Sequence, residues 1–168
     1  RGLKYIQEFK DNMNIKSKPI ITKVKGKPYT RISWKIDFPR FGIKKLNNDM
    51  INLMVRRIYD ISGITDKKLN VYYNNEKLKV NTFEKYIDLY NKNNNKVCEK
   101  IHPRWEIGIC MSDNDKFEQY SFVNGIFTQK GGKHVDYIIK QLTNGIATII
   151  KKKNKKDIPE NYIKNYLK

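Results

Sequence analysis

Lys151, Lys152, Lys153, Lys155 and Lys156 put five ammonium groups into six residues. Such a cluster can contact phosphate without reading base sequence, and no aromatic side chain lies among them to stack on a base. A lysine run closing a helix also suits the negative end of the helix dipole and can simply remain solvated, so the residues alone leave both readings open. His134, beside Gly131-Gly132 and near Asp136, could in principle act as a general base. No acid, nucleophile or metal partner stands at a useful spacing from it, so it reads as a structural histidine bonded to backbone near a helix start, with Asp136 as a helix-start residue. Cys98 and Cys110 are the only cysteines. They lack metal-ligand spacing and read as reduced thiols. No catalytic and no metal-binding residue is assigned.

These groups need a turn, a helix and a sheet to hold them. Phe117 to Thr128 is rich in aromatic and β-branched residues, as a strand should be. Gly131-Gly132 then permits positive φ before a helix opens at Lys133, whose apolar stripe of Val135, Ile138, Ile139, Leu142, Ile146, Ile149 and Ile150 leads to the lysines. A second helical start follows Pro159, with Tyr162, Ile163, Tyr166 and Leu167 on it.

Upstream, Ile32, Trp34 and Ile36 alternate with Arg31, Ser33 and Lys35, which predicts over 29–37 a strand with one buried face. Asn47 or Asn48 caps a helix carrying Ile51, Met54, Val55, Ile58 and Ile61, with Asp49 in its first turn and Gly63 placed to end it. Strands over 69–73 and 77–80 flank Asn74-Asn75 as a hairpin. Thr82 caps a short helix with Phe83, Tyr86, Ile87 and Tyr90 on one face, and 91–96 reads as a solvated loop. Residues 104–112 alternate as a strand expected beside 117–128. Strands with helices on one face make an α+β sandwich.

The chain has 168 residues and a formal charge of +18. That is material for one domain, or one and a piece of another. Roughly half of the excess charge is assigned to polyanion contact and half to lysine and asparagine codon use in an AT-rich genome, which runs such as 91–96 suggest. No apolar run approaches membrane-spanning length, and Arg1-Gly2-Leu3 carries neither a signal peptide nor an initiator Met, so no membrane partner is expected and the chain reads as a piece of a longer intracellular protein.

Ser121-Phe122-Val123-Asn124, Ile126, Thr128, Gly131-Gly132, His134-Val135 and Tyr137, in that spacing, resemble the signature of the transducer domain of type IIA DNA topoisomerases. Arg104-Trp105-Glu106, the run Leu53 to Gly63 with Arg56-Arg57-Ile58-Tyr59-Asp60, and Arg40-Phe41-Gly42 resemble further family segments in collinear order. The Arg-Arg-x-Tyr-Asp helix favours the eukaryotic-type enzyme, a group that includes those of some large DNA viruses. Gly125 and Phe127 depart from the family's usual Ser and Ala, while Asn124 and Thr128 are retained.

The resemblance implies a ribosomal-protein-S5-like transducer over 63–168, incomplete at its C-terminus, with a left-handed βαβ crossover against the usual rule. It implies that 1–62 is the end of a GHKL ATPase domain. The family's general base, magnesium-holding Asn, adenine-binding Asp and glycine-rich lid find no match here, so ATP and Mg2+ belong to the full-length enzyme and neither is expected bound to this piece. The family's Gln-Thr-Lys loop is expected beyond Lys168, and Thr128-Gln129-Lys130 is not that loop. Double-stranded DNA as partner, a homodimeric full-length enzyme and a nuclear or equivalent DNA compartment are implied as well. In related enzymes a lysine-rich loop at this place faces the cavity holding the transported duplex, which favours DNA contact by Lys151, Lys152, Lys153, Lys155 and Lys156. The alternative is a stand-alone basic nucleic-acid-binding module of S5-like fold with no nucleotide cycle.

Overall fold

A computed structural model describes residues 2–91 and 95–168. They fall into two compact units, 1–45 and 46–168. In the first, β1 (Leu3–Ile6) runs into the short hairpin β2 (Phe9–Lys10) and β3 (Ile15–Lys16), and β4 (Ile20–Lys23) returns antiparallel to β1 with Leu3 opposite Lys23 and Ile6 opposite Ile20. Asp11, Asn12 and Met13 turn the inner hairpin at positive φ. No described residue of this unit is buried.

The strand expected over 29–37 does not form. Those residues join no ladder, and Ile32 and Trp34 stand 82% and 67% exposed. Period-two alternation specifies a strand that has a partner and a face to cover, and no described segment supplies either. A 3-10 turn over Pro39–Phe41 then closes on Gly42 at φ 65°.

The second unit opens with α1 (Asn48–Ile64), where the Asn47 side chain accepts from the Met50 N–H at 2.8 Å and Asp49 sits in the first turn. Gly63 does not end this helix, which caps at Thr65. Its role is close approach: a Cβ there would stand 2.6 Å from that of Tyr86, so glycine lets the two helices touch. Asn74 and Asn75, at φ 49° and 65°, turn the expected hairpin, whose strands β5 (Tyr72–Tyr73) and β6 (Glu76–Lys77) are shorter than predicted. Thr82 caps α2 (Phe83–Ile87), accepting from the Lys85 N–H at 3.2 Å. Tyr86 on α2 is 1% exposed and meets Phe122 edge-on at 5.7 Å between ring centroids.

The sheet differs from expectation. β7 (Lys96–His102) pairs antiparallel with β8 (Trp105–Cys110), Lys96 opposite Cys110 and Cys98 opposite Gly108. The partner of 104–112 is therefore the preceding segment rather than 117–128. Of the loop expected over 91–96, residues 92–94 lie outside the described residues. Asn91 is buried and Lys96 begins β7 paired with Asp88 and Glu84, while Asn95 is exposed, so the expected solvated loop reaches neither 91 nor 96.

The segment read as one strand over 117–128 is instead a hairpin, β9 (Phe122–Val123) and β10 (Ile126–Phe127), turned by Asn124-Gly125 at φ 51° and 79°. Asn-Gly is the strongest short hairpin signal, and it outranks the strand propensity of the flanks. After it come α3 (Lys133–Asn154) and α4 (Glu160–Asn165). The chain does not end inside α4. Cys110 and Lys168 exchange both backbone hydrogen bonds at 2.9 Å, and the Leu167 carbonyl accepts from the Glu118 N–H at 3.3 Å, so 166–168 return to the edge of β8. The architecture is α+β, and every ladder among the described residues is antiparallel.

Candidate functional site

Thr128 organises the start of α3. Its N–H donates to the Ser121 carbonyl at 2.8 Å and its hydroxyl to the same carbonyl at 2.9 Å, closing the base of the β9–β10 hairpin. His134 Nε2 lies 3.2 Å from Thr128 Oγ1 and 3.3 Å from Ser121 Oγ, which lie within hydrogen-bond reach of each other. The histidine thus bonds two hydroxyls rather than the backbone expected from sequence. Gln119 Nε2 donates to the carbonyls of Thr128 at 3.1 Å and Gln129 at 2.9 Å, fixing the strand that leaves the hairpin.

Gly131 at φ 71° and Gly132 at φ 147° make the turn into the helix, and the Gly132 carbonyl accepts from Val135 and Asp136. A Cβ on Gly132 would also stand 3.2 Å from the His134 ring, so that position needs glycine for both backbone and space. Asn124 lies at the opposite, outer end of the hairpin in its tight turn. Asn124, Thr128, Gly131, Gly132 and His134 therefore form one structural device running from hairpin tip to helix start. A serine and a histidine stand side by side here, and no hydrogen bond joins a carboxylate to the imidazole among the described residues; the bonds that do form tie His134 at the start of α3 to the hairpin.

The lysines sit at the other end of the same helix. Lys151, Lys152 and Lys153 occupy its last turn, Lys155 is its cap in the left-handed conformation at φ 55°, and Lys156 follows. Three of the five are helical, because the helix continues through Asn154. All five are exposed. Lys151 Nζ pairs with Asp157 Oδ2 at 2.8 Å, and the other four make no ion pair among the described residues. Asn154 is the one amide inside the run. The two devices sit at opposite ends of α3, whose stripe residues Val135, Ile138, Ile139 and Leu142 line a cavity of about 560 Å³ with Ile107, Ile109 and Phe122.

A further cluster was not anticipated. The buried Asp60 on α1 accepts from the Tyr86 hydroxyl at 2.7 Å, and Tyr90, 3.3 Å from that hydroxyl, stacks on Tyr120 at 4.0 Å. Burial, the Tyr90 hydroxyl and the Asp60 carboxylate together push the Tyr86 phenol far above its ordinary range. It titrates nowhere near neutrality and serves as a fixed donor. At the chain's end Lys168 Nζ lies 2.8 Å from Glu118 Oε2. That bond holds the Glu118 carboxyl below its usual value; at Lys168 burial is the largest single influence and lowers the ammonium, but the Glu118 bond and charge, with Tyr120 and Asp113, together raise it. Burial pushes both cysteine thiols up, away from the reactive thiolate form.

Among the described residues no three His, Cys, Asp or Glu side chains stand close enough to hold a metal ion, and Asp60 is committed to Tyr86 and Arg57, so these side chains do not fit a magnesium site.

Residues 67–167 match the profile of the DNA gyrase B family. The chain belongs to that family. Within it the similarity is to the eukaryotic type IIA enzymes: 40% identity to DNA topoisomerase 2 of Saccharomyces cerevisiae and 39% to that of Arabidopsis thaliana, each over 98% of this chain. DNA topoisomerase 2 of Acanthamoeba polyphaga mimivirus is 36% identical over 92% of it. The chain spans 13%, 12% and 13% of the length of these gyrase B family relatives. The crystal structure of the ATPase region of S. cerevisiae topoisomerase II superimposes with a TM-score of 0.85 at 40% identity, covering 99% of this chain and 43% of that one. The ATPase and transducer domains of DNA topoisomerase II from Balamuthia mandrillaris give 0.84 at 32% identity, covering 99% and 44%.

Proposed function

We propose that this chain is part of an ATP-dependent type II DNA topoisomerase that passes one duplex through another and so controls supercoiling and decatenation. The observation that carries the reading is the agreement with the ATPase region of topoisomerase II over 99% of the chain. In this reading residues 1–62 are the end of the GHKL nucleotide-binding domain, 63–168 are transducer, and α1 joins them. ATP and magnesium are held by residues outside this chain, the working enzyme is a homodimer, and it acts in the nucleus or an equivalent DNA compartment. The chain alone turns over no nucleotide.

Its own contribution is mechanical and electrostatic. The glycine turn fixes the angle at which α3 leaves the hairpin, and α3 carries Lys151, Lys152, Lys153, Lys155 and Lys156 to duplex phosphate. A stand-alone basic binding module would account for the charge, but not for the collinear match of 1–62 to an ATPase region. Relaxation of supercoiled plasmid by the whole protein tests the reading. Relaxation that requires ATP supports it, and DNA binding with no ATP-dependent change in topology contradicts it.

A further inference from the structure

Two consecutive arginines of α1 contact the β9–β10 hairpin, and His134 is bonded at its base. Arg57 donates through Nη2 to the Gly125 carbonyl at the hairpin turn. Its Nη1 stands 3.9 Å from Asp60 Oδ2, and Asp60 is itself fixed by Tyr86, so the guanidinium is held in place by a buried carboxylate. Arg56 lies over the Phe127 ring at 4.7 Å and faces Tyr120 at 5.9 Å. At the base of the same hairpin Ser121 and Thr128 hold the His134 ring at the start of α3.

Arg56 Nε is buried without a hydrogen-bond partner. An unmet donor on a cation is costly, and a small shift of the hairpin that brings a carbonyl to it removes that cost. Arg56 is thus held at the hairpin by its ring contacts, with its buried Nε left unsatisfied there.

We infer that Arg57, supported by Arg56, is a positioning residue for DNA-stimulated ATP turnover. It fixes the hairpin to α1, so that phosphate contact at the lysine end of α3 reaches the helix leading to the nucleotide-binding region. This rests on the function proposed above. The planar guanidinium presents Nη2 to the Gly125 carbonyl and Nη1 toward Asp60 from two separate, rigidly spaced nitrogens, whereas a lysine would have to reach both from one nitrogen on a flexible stem.

The test uses the whole enzyme with Arg57→Lys, read as ATP turnover with and without duplex, melting temperature, and the salt dependence of DNA affinity. We expect melting, basal turnover and salt slope to match the unmutated enzyme while stimulation by DNA falls at least about fivefold, the lower end of ordinary coupling between sites. Undiminished stimulation overturns the inference, and so does a loss of basal turnover and melting together, which would make Arg57 merely structural. Lys151→Ala, Lys152→Ala and Lys153→Ala combined is the control. If that triple variant keeps its slope and its stimulation, the lysine reading fails on its own account. If it loses both while Arg57→Lys does not, only the arginine inference fails.

Discussion

The two ends of α3 are built in opposite ways. At Gly132 the chain is over-determined: two glycines at positive φ, hydroxyls of Ser121 and Thr128 spent on His134, and both side-chain donors of Gln119 spent on carbonyls. At Lys151–Lys156 almost nothing is spent, since four of five ammonium groups have no ion pair among the described residues. Satisfied polar groups rigidify and specify geometry, whereas an unspent row of like charge costs self-repulsion. The difference separates a fulcrum from the surface proposed to contact phosphate, although both motifs stand out equally in the sequence.

The largest expected effect is at the fulcrum. Gly132→Val should destabilise by about 1 to 3 kcal/mol, and Gly131→Val somewhat less, because only a Cβ at 132 also meets the His134 ring. Urea unfolding with an unchanged slope measures both, and equal tolerance of Val at the two positions would break the comparison. Thr128→Val keeps the shape of the side chain and removes its hydroxyl from Ser121 and His134. A loss of about 1 to 2 kcal/mol is expected, and no loss would mean that the histidine is held by packing alone.

A smaller, pH-dependent effect belongs to Glu118, whose folded pKa is depressed by Lys168. Its contribution is fully present above the ordinary carboxylate range and disappears as pH falls through the lowered folded value. Unfolding measured from neutral to acid pH should therefore lose stability along that limb, and Glu118→Gln should flatten it. The smallest effect on stability is at the lysines: replacing Lys151, Lys152 and Lys153 by Ala should move it by no more than about 0.5 kcal/mol, as for exposed residues elsewhere. A larger loss would make that end part of the fold.

Local chemistry was legible in the sequence where a single residue decides the backbone. Asn47, Thr82, Asn74-Asn75 and Gly131-Gly132 all act as their types predict. Pairing was less legible, because alternation names a strand without naming its neighbour. That is why 104–112 was matched to the wrong partner and 29–37 was given a buried face it does not have. Asn124-Gly125 was visible as a turn signal, and strand propensity on both sides hid it. The Asp60–Tyr86 contact could not be read at all, since it joins residues that only the close approach at Gly63 brings together. A carboxylate beside the apolar stripe of α1 was its one trace in the sequence. The packed units divide between Lys45 and Leu46, while the domains proposed from the family divide at 62 and 63. The first follows contacts and the second follows descent, with α1 belonging to one on each count.

The helix end at Lys151–Lys156 is proposed to meet duplex phosphate. Affinity of the chain for a short duplex, measured across a range of salt and compared with the Lys151→Ala, Lys152→Ala, Lys153→Ala variant, tests it most directly. The magnitude of the log-affinity against log-salt slope should fall by about 2 to 3, the lower figure if Asp157 keeps Lys151 occupied, with all duplex sequences weakened alike. An unchanged slope would contradict it and leave these lysines as a solvated helix end.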